Sequence, residues 1–230
     1  MYKGQRIGVV IPALDEEQAI SRVIADIPAW VDEIVVADNG SHDRTATVAA
    51  QAGARIVQEV ERGYGAACQA GMGALEAADI VVFLDGDYSD HPGEMVALVD
   101  PIAADSAEFV VGSRVAGNAE RGALAPQQRF GNWLACRLIR RLWGAAYTDL
   151  GPFRAIKRDT LHALNMTDRK FGWTVEMQIK AAKAGIRSLE VPVSYRPRIG
   201  ASKISGTLRG SFKAGVGILG LIARAALQSR

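Results

Sequence analysis

The sequence predicts an α/β protein built on a doubly wound, mostly parallel sheet flanked by helices, and three observations carry that expectation. Apolar runs at residues 7–11, 34–37 and 80–84 fit strands covered on both faces. Stretches with helical spacing separate them, and alternating strand and helix is the order of parallel strands joined by right-handed crossovers. Each run then stops at Pro, Asp, Asn, Gly or Ser, residues that end strands. With 230 residues, 49% of them hydrophobic and 23% charged, the chain suits one domain with a substantial core.

Residues 7–11 form the first expected strand, ended by Pro12. Asp15, Glu16 and Glu17 then suit the positive first turn of a helix whose apolar positions are Ile20, Val23, Ile24 and Ile27. Residues 34–37 make the second strand, followed by an Ala-rich helix over 45–53 that Gly53 closes. A third strand spans 54–57, a helix spans 64–78, and 80–84 is the fourth strand. Residues 109–112 read as one more strand, while Gly117, Gly122 and Pro126 interrupt any period over 113–128. Helical spacing returns over 128–143, where Trp133, Leu134, Leu138 and Leu142 alternate with Arg137, Arg140 and Arg141. Residues 174–184 form another helix before Gly185, and 189–195 a strand that Pro192 assigns to a sheet edge.

The net charge of +2 conceals an asymmetry: no Asp or Glu follows Glu190, whereas Arg196, Arg198, Lys203, Arg209, Lys213, Arg224 and Arg230 do. Such a tail suits phosphates or an anionic bilayer surface, or else packs on the core as a helix with solvated arginines. Its longest apolar stretch, 214–223, is ten residues, against the ~20 that a spanning helix needs. Cys68 and Cys136 have no CxxC or His-rich companion, which argues against a zinc site or a disulfide framework. The N-terminus runs into a strand rather than a secretory leader, so a cytoplasmic location is expected, with peripheral contact on the inner face of the membrane.

The chemistry concentrates where the expected strands end. Asp15 and Glu17 follow the first, Asp38 the second, and Asp85 and Asp87 the fourth, and in a parallel sheet these ends share one edge, where ligands bind. Two carboxylates one residue apart, with Gly86 between them so that the backbone can turn tightly, suit Mg²⁺ or Mn²⁺ that also holds substrate phosphates. Alone, Asp-Gly-Asp favours a metal over an ordinary polar turn by only about two to one, because turns are so common. Gly63-Tyr64-Gly65 partly imitates a dinucleotide fingerprint but lacks its third glycine and does not follow the first strand, so these glycines pass close to a ligand or cap a helix.

Several segments in order, Val10-Ile11-Pro12-Ala13-Leu14-Asp15-Glu16-Glu17, Val36-Ala37-Asp38-Asn39-Gly40-Ser41, Asp85-Gly86-Asp87, Gly112-Ser113-Arg114 and Asp149-Leu150-Gly151-Pro152-Phe153-Arg154, resemble the GT-A glycosyltransferases of family 2. Within them the chain is similar to the polyprenol-phosphate, dolichol-phosphate mannose synthase-like branch, over nearly its whole length. The resemblance implies a GT-A catalytic domain over 1–195, with a nucleotide-binding half over about 1–112 and an acceptor-binding half over about 113–195. A basic loop and membrane-surface or packing helix would fill 196–230. It implies that Pro12, Ala13, Asp15, Glu17 and Asp38 line the nucleotide pocket of a UDP- or GDP-sugar. Asp85 and Asp87 would hold Mg²⁺ or Mn²⁺ on the donor diphosphate. A third ligand stays open: Ser89 occupies the position some relatives use, and Asp90 and His91 are further candidates. Arg114, Arg129 and Asn132 would receive a polyprenyl phosphate acceptor, with Glu176 near the sugar. Arg198 and Lys203 belong to a loop that closes over the diphosphate, and Asp87, Arg114, Arg129 and Lys203 would be the catalytic set.

Other readings follow from the same residues. A soluble hydroxyl acceptor would need a base, for which Asp149 and Glu176 are the candidates. Asp85-Gly86-Asp87-Tyr88-Ser89 has the Asp-x-Asp-x-Ser/Thr form of haloacid dehalogenase-type phosphatases, in which the first aspartate is a nucleophile, although there it follows the first strand. The basic tail could bind nucleic acid on an inert domain, but little aromatic interleaving supports that, and no nucleic acid is expected as a partner.

Overall fold

A computed structural model describes residues 1–200 and 208–227, with side chains described over 1–200 and 215–227. Among these residues, β1 (Ile7–Ala13), β2 (Glu33–Asp38), β3 (Arg55–Gln58), β4 (Ile80–Phe83), β5 (Phe109–Ala119), β6 (Arg154–Lys157) and β7 (Ser188–Tyr195) form one sheet ordered β3-β2-β1-β4-β6-β5-β7. β1 pairs in parallel with β2 and β4, β2 with β3, and β5 with β7, whereas β6 runs antiparallel to both neighbours. Reversing one strand between β4 and β5 leaves β5 pointing the same way as β4. The carboxyl ends of β1, β2, β4, β5 and β7 therefore share one edge, as does the loop that enters β6.

The period of two along the strands divides the core between the sheet faces. In β1, Ile7, Val9 and Ile11 pack with α1 (Ile20–Ala25), α2 (Thr45–Gln51) and α4 (Met95–Ala103), while Val10 faces the layer of α3 (Tyr64–Ala74), α5 (Pro126–Trp143) and α7 (Trp173–Lys183). α6 (Arg158–Ala163) adds Leu161 to that second layer. β4 is buried along all four residues, as a central strand covered on both faces requires. α8 (Leu208–Leu227) packs on α5 and α7, with Ile222 buried and Ile218 and Leu221 against the core, so its inner face does the work of a packing helix. Among the described residues no helix is long and apolar enough to cross a membrane.

Among the departures from expectation are the unannounced helices α4 and α6, the end of α3 at Ala74 rather than residue 78, and three more. Asp15 to Glu17 do not open a helix: Asp15 has φ +52° and α1 begins only at Ile20. β5 runs on to Ala119 through the stretch expected as loop, with a register shift between Ser113 and Asn118 against β7. Arg154-Ala155-Ile156-Lys157 is a strand that no apolar run announces, because its fully buried Arg154 reads as polar while its guanidinium is satisfied by the carbonyls of Leu150, Gly151 and Thr174. Pro192 lies in β7, an edge strand as expected.

Candidate active site

The loops after β1 and β2 are laced together by carboxylates and backbone amides. Asp15 accepts from the His42 N–H at 2.7 Å, Glu17 from the Arg44 N–H at 3.1 Å, and the Glu16 N–H donates to Thr45 Oγ1 at 2.7 Å. Asp38 accepts from the Ser41 N–H at 3.1 Å and from its hydroxyl. These bonds, rather than a helix start, are what the acidic run after β1 serves. Together with the buried Pro12 and Ala13 at the end of β1, they build one wall of the edge.

β4 delivers Leu84 and Asp85 to the same edge. The Asp85 N–H donates to Asp90 Oδ2 at 3.2 Å, and Asp87 Oδ1 accepts from both the N–H (2.9 Å) and Oγ (2.5 Å) of Ser89. The left-handed residue of this turn is Tyr88, φ +66°, not Gly86. Gly86 instead lies against the core, where an added Cβ would meet Ile11 and Ile20 at 3.4 Å. The Tyr64 hydroxyl lies beside the Asp85 carboxylate, so the Gly63-Tyr64-Gly65 segment contributes its tyrosine to the site. Its glycines serve packing: the Gly65 and Ala66 amides donate to the carbonyls of Lys170 and Arg169 at 3.0 Å, and a Cβ on Gly63 or Gly65 would fall on the carbonyls of Arg169 or Asp168.

Burial, then the neighbouring Asp87 and Asp90 carboxylates, push the Asp85 carboxyl well above the ordinary carboxylate range. Burial pushes Asp90 up to about 7. One buried oxygen of each of Asp85 and Asp90 has no hydrogen-bond partner. A crowded set of carboxylates with unsatisfied oxygens fits a divalent cation, which would supply the missing counter-charge. Among the described residues no group of three or more His, Cys, Asp and Glu side chains is arranged to hold a metal, so Asp85 and Asp87 would furnish two ligands and a donor diphosphate further oxygens. Ser89 is committed to Asp87, and His91 is half-exposed nearby.

The segment after β7 crosses this turn. Asp90 and Tyr195 form an antiparallel bridge, the Arg196 N–H donates to the Ser89 carbonyl at 3.0 Å, and the Ile199 N–H to the Asp87 carbonyl at 2.9 Å. The Arg196 guanidinium lies 3.3 Å from the centre of the Tyr88 ring and donates to the carbonyls of Tyr88 and Asp90. Arg198 reaches Asp87 and Glu16. Neither Tyr64, Glu16 nor Arg196 stands out in the sequence, because each acts through a partner far along the chain. Lys203 lies outside the described residues.

Along β5, Arg114 and Asp149 form a buried fork, with Nε and Nη2 each 2.8 Å from a carboxylate oxygen. Burial opposes the Asp149 charge, but the Arg114 guanidinium and hydrogen bonds hold its carboxyl below the ordinary range. Asp149 thus occupies the Nε–Nη2 edge of the Arg114 guanidinium. Asn132 ties α5 to the same loop, donating to the Thr148 carbonyl and accepting from the Leu150 N–H, both at 2.9 Å. Glu176 accepts from the Thr167 N–H and hydroxyl and the Asp168 N–H, and pairs with Lys180 at 2.8 Å. Arg129 is exposed on α5, apart from this cluster.

A family model described as glycosyl transferase family 2 matches residues 8–164. An uncharacterized glycosyltransferase of Mycobacterium tuberculosis is 39% identical over 90% of this chain and 94% of its own length. A dolichyl-phosphate hexose transferase of Haloferax volcanii is 35% identical over 88% of each chain. Among solved structures, glucosyl-3-phosphoglycerate synthase from Mycobacterium tuberculosis, in complex with Mn²⁺, UDP and glucosyl-3-phosphoglycerate, superposes with a TM-score of 0.77 at 25% identity, covering 97% of this chain and 80% of that one. The sheet order with its acidic strand ends, and a match spanning β1 to α6, agree: this protein is a glycosyltransferase of the GT-A fold and belongs to glycosyl transferase family 2.

Proposed function

We propose that the protein is an inverting, metal-dependent hexosyltransferase that moves one sugar from a nucleoside diphosphate sugar to a polyprenyl phosphate. In this reading residues 1–112 hold the nucleotide, 113–195 the acceptor, and the basic segment from 196 onward the diphosphate and the membrane side. Pro12, Ala13, Asp15, Glu17 and Asp38 line the base and ribose. Asp85 and Asp87 hold Mg²⁺ or Mn²⁺, which when bound neutralises charge on the leaving diphosphate. Arg198 and Lys203 add positive charge over the same group, and Arg129 and Asn132 stand on the acceptor side.

The observation that carries the acceptor is the state of the two carboxylates available as bases. Asp149 is locked in its fork with Arg114, and Glu176 is saturated by Thr167, Asp168 and Lys180 and held below the ordinary range, burial notwithstanding. A hydroxyl acceptor needs a proton removed; a phosphate monoester is already ionised at neutral pH and attacks without one. The dolichyl-phosphate hexose transferase relative supports the same class. The outer side of α5 supports an acceptor drawn from a bilayer: Phe130 and Trp133 are 63% and 54% exposed, beside exposed Arg129, Arg137, Arg140 and Arg141 on a helix with no acidic residue.

The solved glucosyl-3-phosphoglycerate synthase favours a second reading, transfer from a UDP-sugar to a small phosphorylated hydroxy acid. Incubation with Mn²⁺ and radiolabelled UDP-glucose or GDP-mannose, offering a short-chain polyprenyl phosphate and 3-phosphoglycerate in parallel, separates the two. Label extracted into butanol with the lipid is expected. Label found only in the aqueous phosphoglycerate product would overturn the lipid acceptor.

A further inference from the structure

Both carboxylate oxygens of Asp87 are engaged by the protein itself. Oδ1 accepts from Ser89, and Oδ2 lies 3.3 Å from Arg198 Nη1. The other arm of the same guanidinium, Nη2, donates to Glu16 Oε1 at 2.8 Å, and Glu16 is itself only 8% exposed. The backbone bond from Ile199 to the Asp87 carbonyl holds the strap against the turn, and Arg196, stacked on Tyr88, fixes its upstream end. Arg198 Nε is buried with no acceptor, so this seat satisfies two arms of the fork and leaves the third donor unmatched.

We infer that Arg198 is a resident counter-cation of Asp87, kept in place by Glu16, which thereby acts as a positioning residue for metal and donor binding. The inference rests on the proposed role of Asp87 as a cation ligand. A divalent cation arriving alone must compete with the guanidinium for Asp87 Oδ2, the longer of the two Arg198 contacts. A diphosphate changes the balance, because a guanidinium forks onto phosphate oxygens at least as well as onto carboxylates. Metal and diphosphate therefore bind with positive coupling, each strengthening the other by the same factor. Glu16 opposes that coupling: it holds the arginine on the carboxylate side and away from the phosphate side.

Glu16→Gln is the decisive variant, since simple electrostatics and this inference predict opposite signs. Deleting a negative charge beside a cation site should weaken Mn²⁺ binding. Loosening the resident arginine should strengthen it. Mn²⁺ titration of the purified protein, followed by the electron paramagnetic resonance of the free ion, reads the affinity with and without UDP and needs no turnover. In the wild type, UDP is expected to tighten Mn²⁺ binding at least tenfold. In Glu16→Gln, Mn²⁺ alone is expected to bind about threefold more tightly. In Arg198→Gln it binds more tightly still, and the UDP enhancement falls at least threefold below the wild-type value, the remainder coming from diphosphate oxygens on the ion. Adding Glu16→Gln to Arg198→Gln should then change nothing further, since the two act as one unit. Unchanged or weaker Mn²⁺ binding in Glu16→Gln, with the fold retained by circular dichroism, overturns the inference. Mn²⁺ binding that ignores Asp87→Asn overturns the cation site and the inference with it.

Discussion

Asp87 lies in the turn that follows the buried strand β4 and is tied on both oxygens, so its removal tests chemistry and packing separately. Asp87→Ala is expected to lower transfer by about a thousandfold or more, the equivalent of several kcal/mol of lost charge stabilisation on the diphosphate. Stability should fall by only about 1–3 kcal/mol, from the donors of Ser89 left without an acceptor; urea unfolding of the purified variant checks this. Asp90 gives a pH prediction. Its folded pKa of about 7 lies above the unfolded carboxylate value, so the folded state binds the extra proton, and the stabilisation present at lower pH is lost as pH rises through 7. The metal-free protein should be more stable at pH 6 than at pH 8 by about 1 kcal/mol or more, and Asp90→Asn should reduce that difference, leaving the part due to the likewise raised Asp85. Asp149 and Glu176 work in the opposite sense: their depressed values give stability that is complete above the unfolded carboxylate pKa and lost on further acidification.

The start of α3 shows how an element can look like one device and be another. Its two glycines let the 168–170 loop lie directly on the helix N-terminus, whose amides that loop satisfies. Gly65→Ala should cost about 2 kcal/mol or more through collision with the Asp168 carbonyl, whereas Gly73→Ala, in open space on the same helix, should stabilise by about 0.5 kcal/mol. Thermal unfolding of the two variants makes the comparison. Sequence alone locates β1, β2 and β4 and the acids behind them, because buried parallel strands write continuous apolar runs and turns write Asp and Gly. It misassigns Asp15 to Glu17 to a helix because their partners, Ser41 to Thr45, lie 26 to 29 residues away. β6 escapes it for a related reason: a strand of four residues with an arginine at its core end carries no period, and the carbonyls that make this arginine tolerable come from two other segments. The resemblance of the motifs brings Asp85, Asp87 and Arg198 to one place, but the filling of the Arg114 fork by Asp149 could be seen only in three dimensions.

At the scale of the whole molecule, α5 turns two faces to different surroundings. Inward, Asn132 braces the loop that carries Asp149; outward, aromatic and guanidinium groups stand in the open. Phe130→Ser with Trp133→Ser is expected to reduce co-sedimentation with sucrose-loaded vesicles of three parts phosphatidylcholine to one part phosphatidylglycerol by about tenfold or more, since each ring loses roughly 1.5–3 kcal/mol of burial. Raising the salt should weaken the wild type in the same assay, and unfolding free energy should stay within about 0.5 kcal/mol because both rings are exposed. The reversed strand β6 has a different consequence, for modularity. It is the tile between β4 and β5, so a fragment ending at residue 112 would leave β4, buried along its whole length, as a naked apolar border ready to pair with another copy. Residues 1–112 therefore cannot be transplanted as a unit, because the strand that closes their flank comes from the later part of the chain.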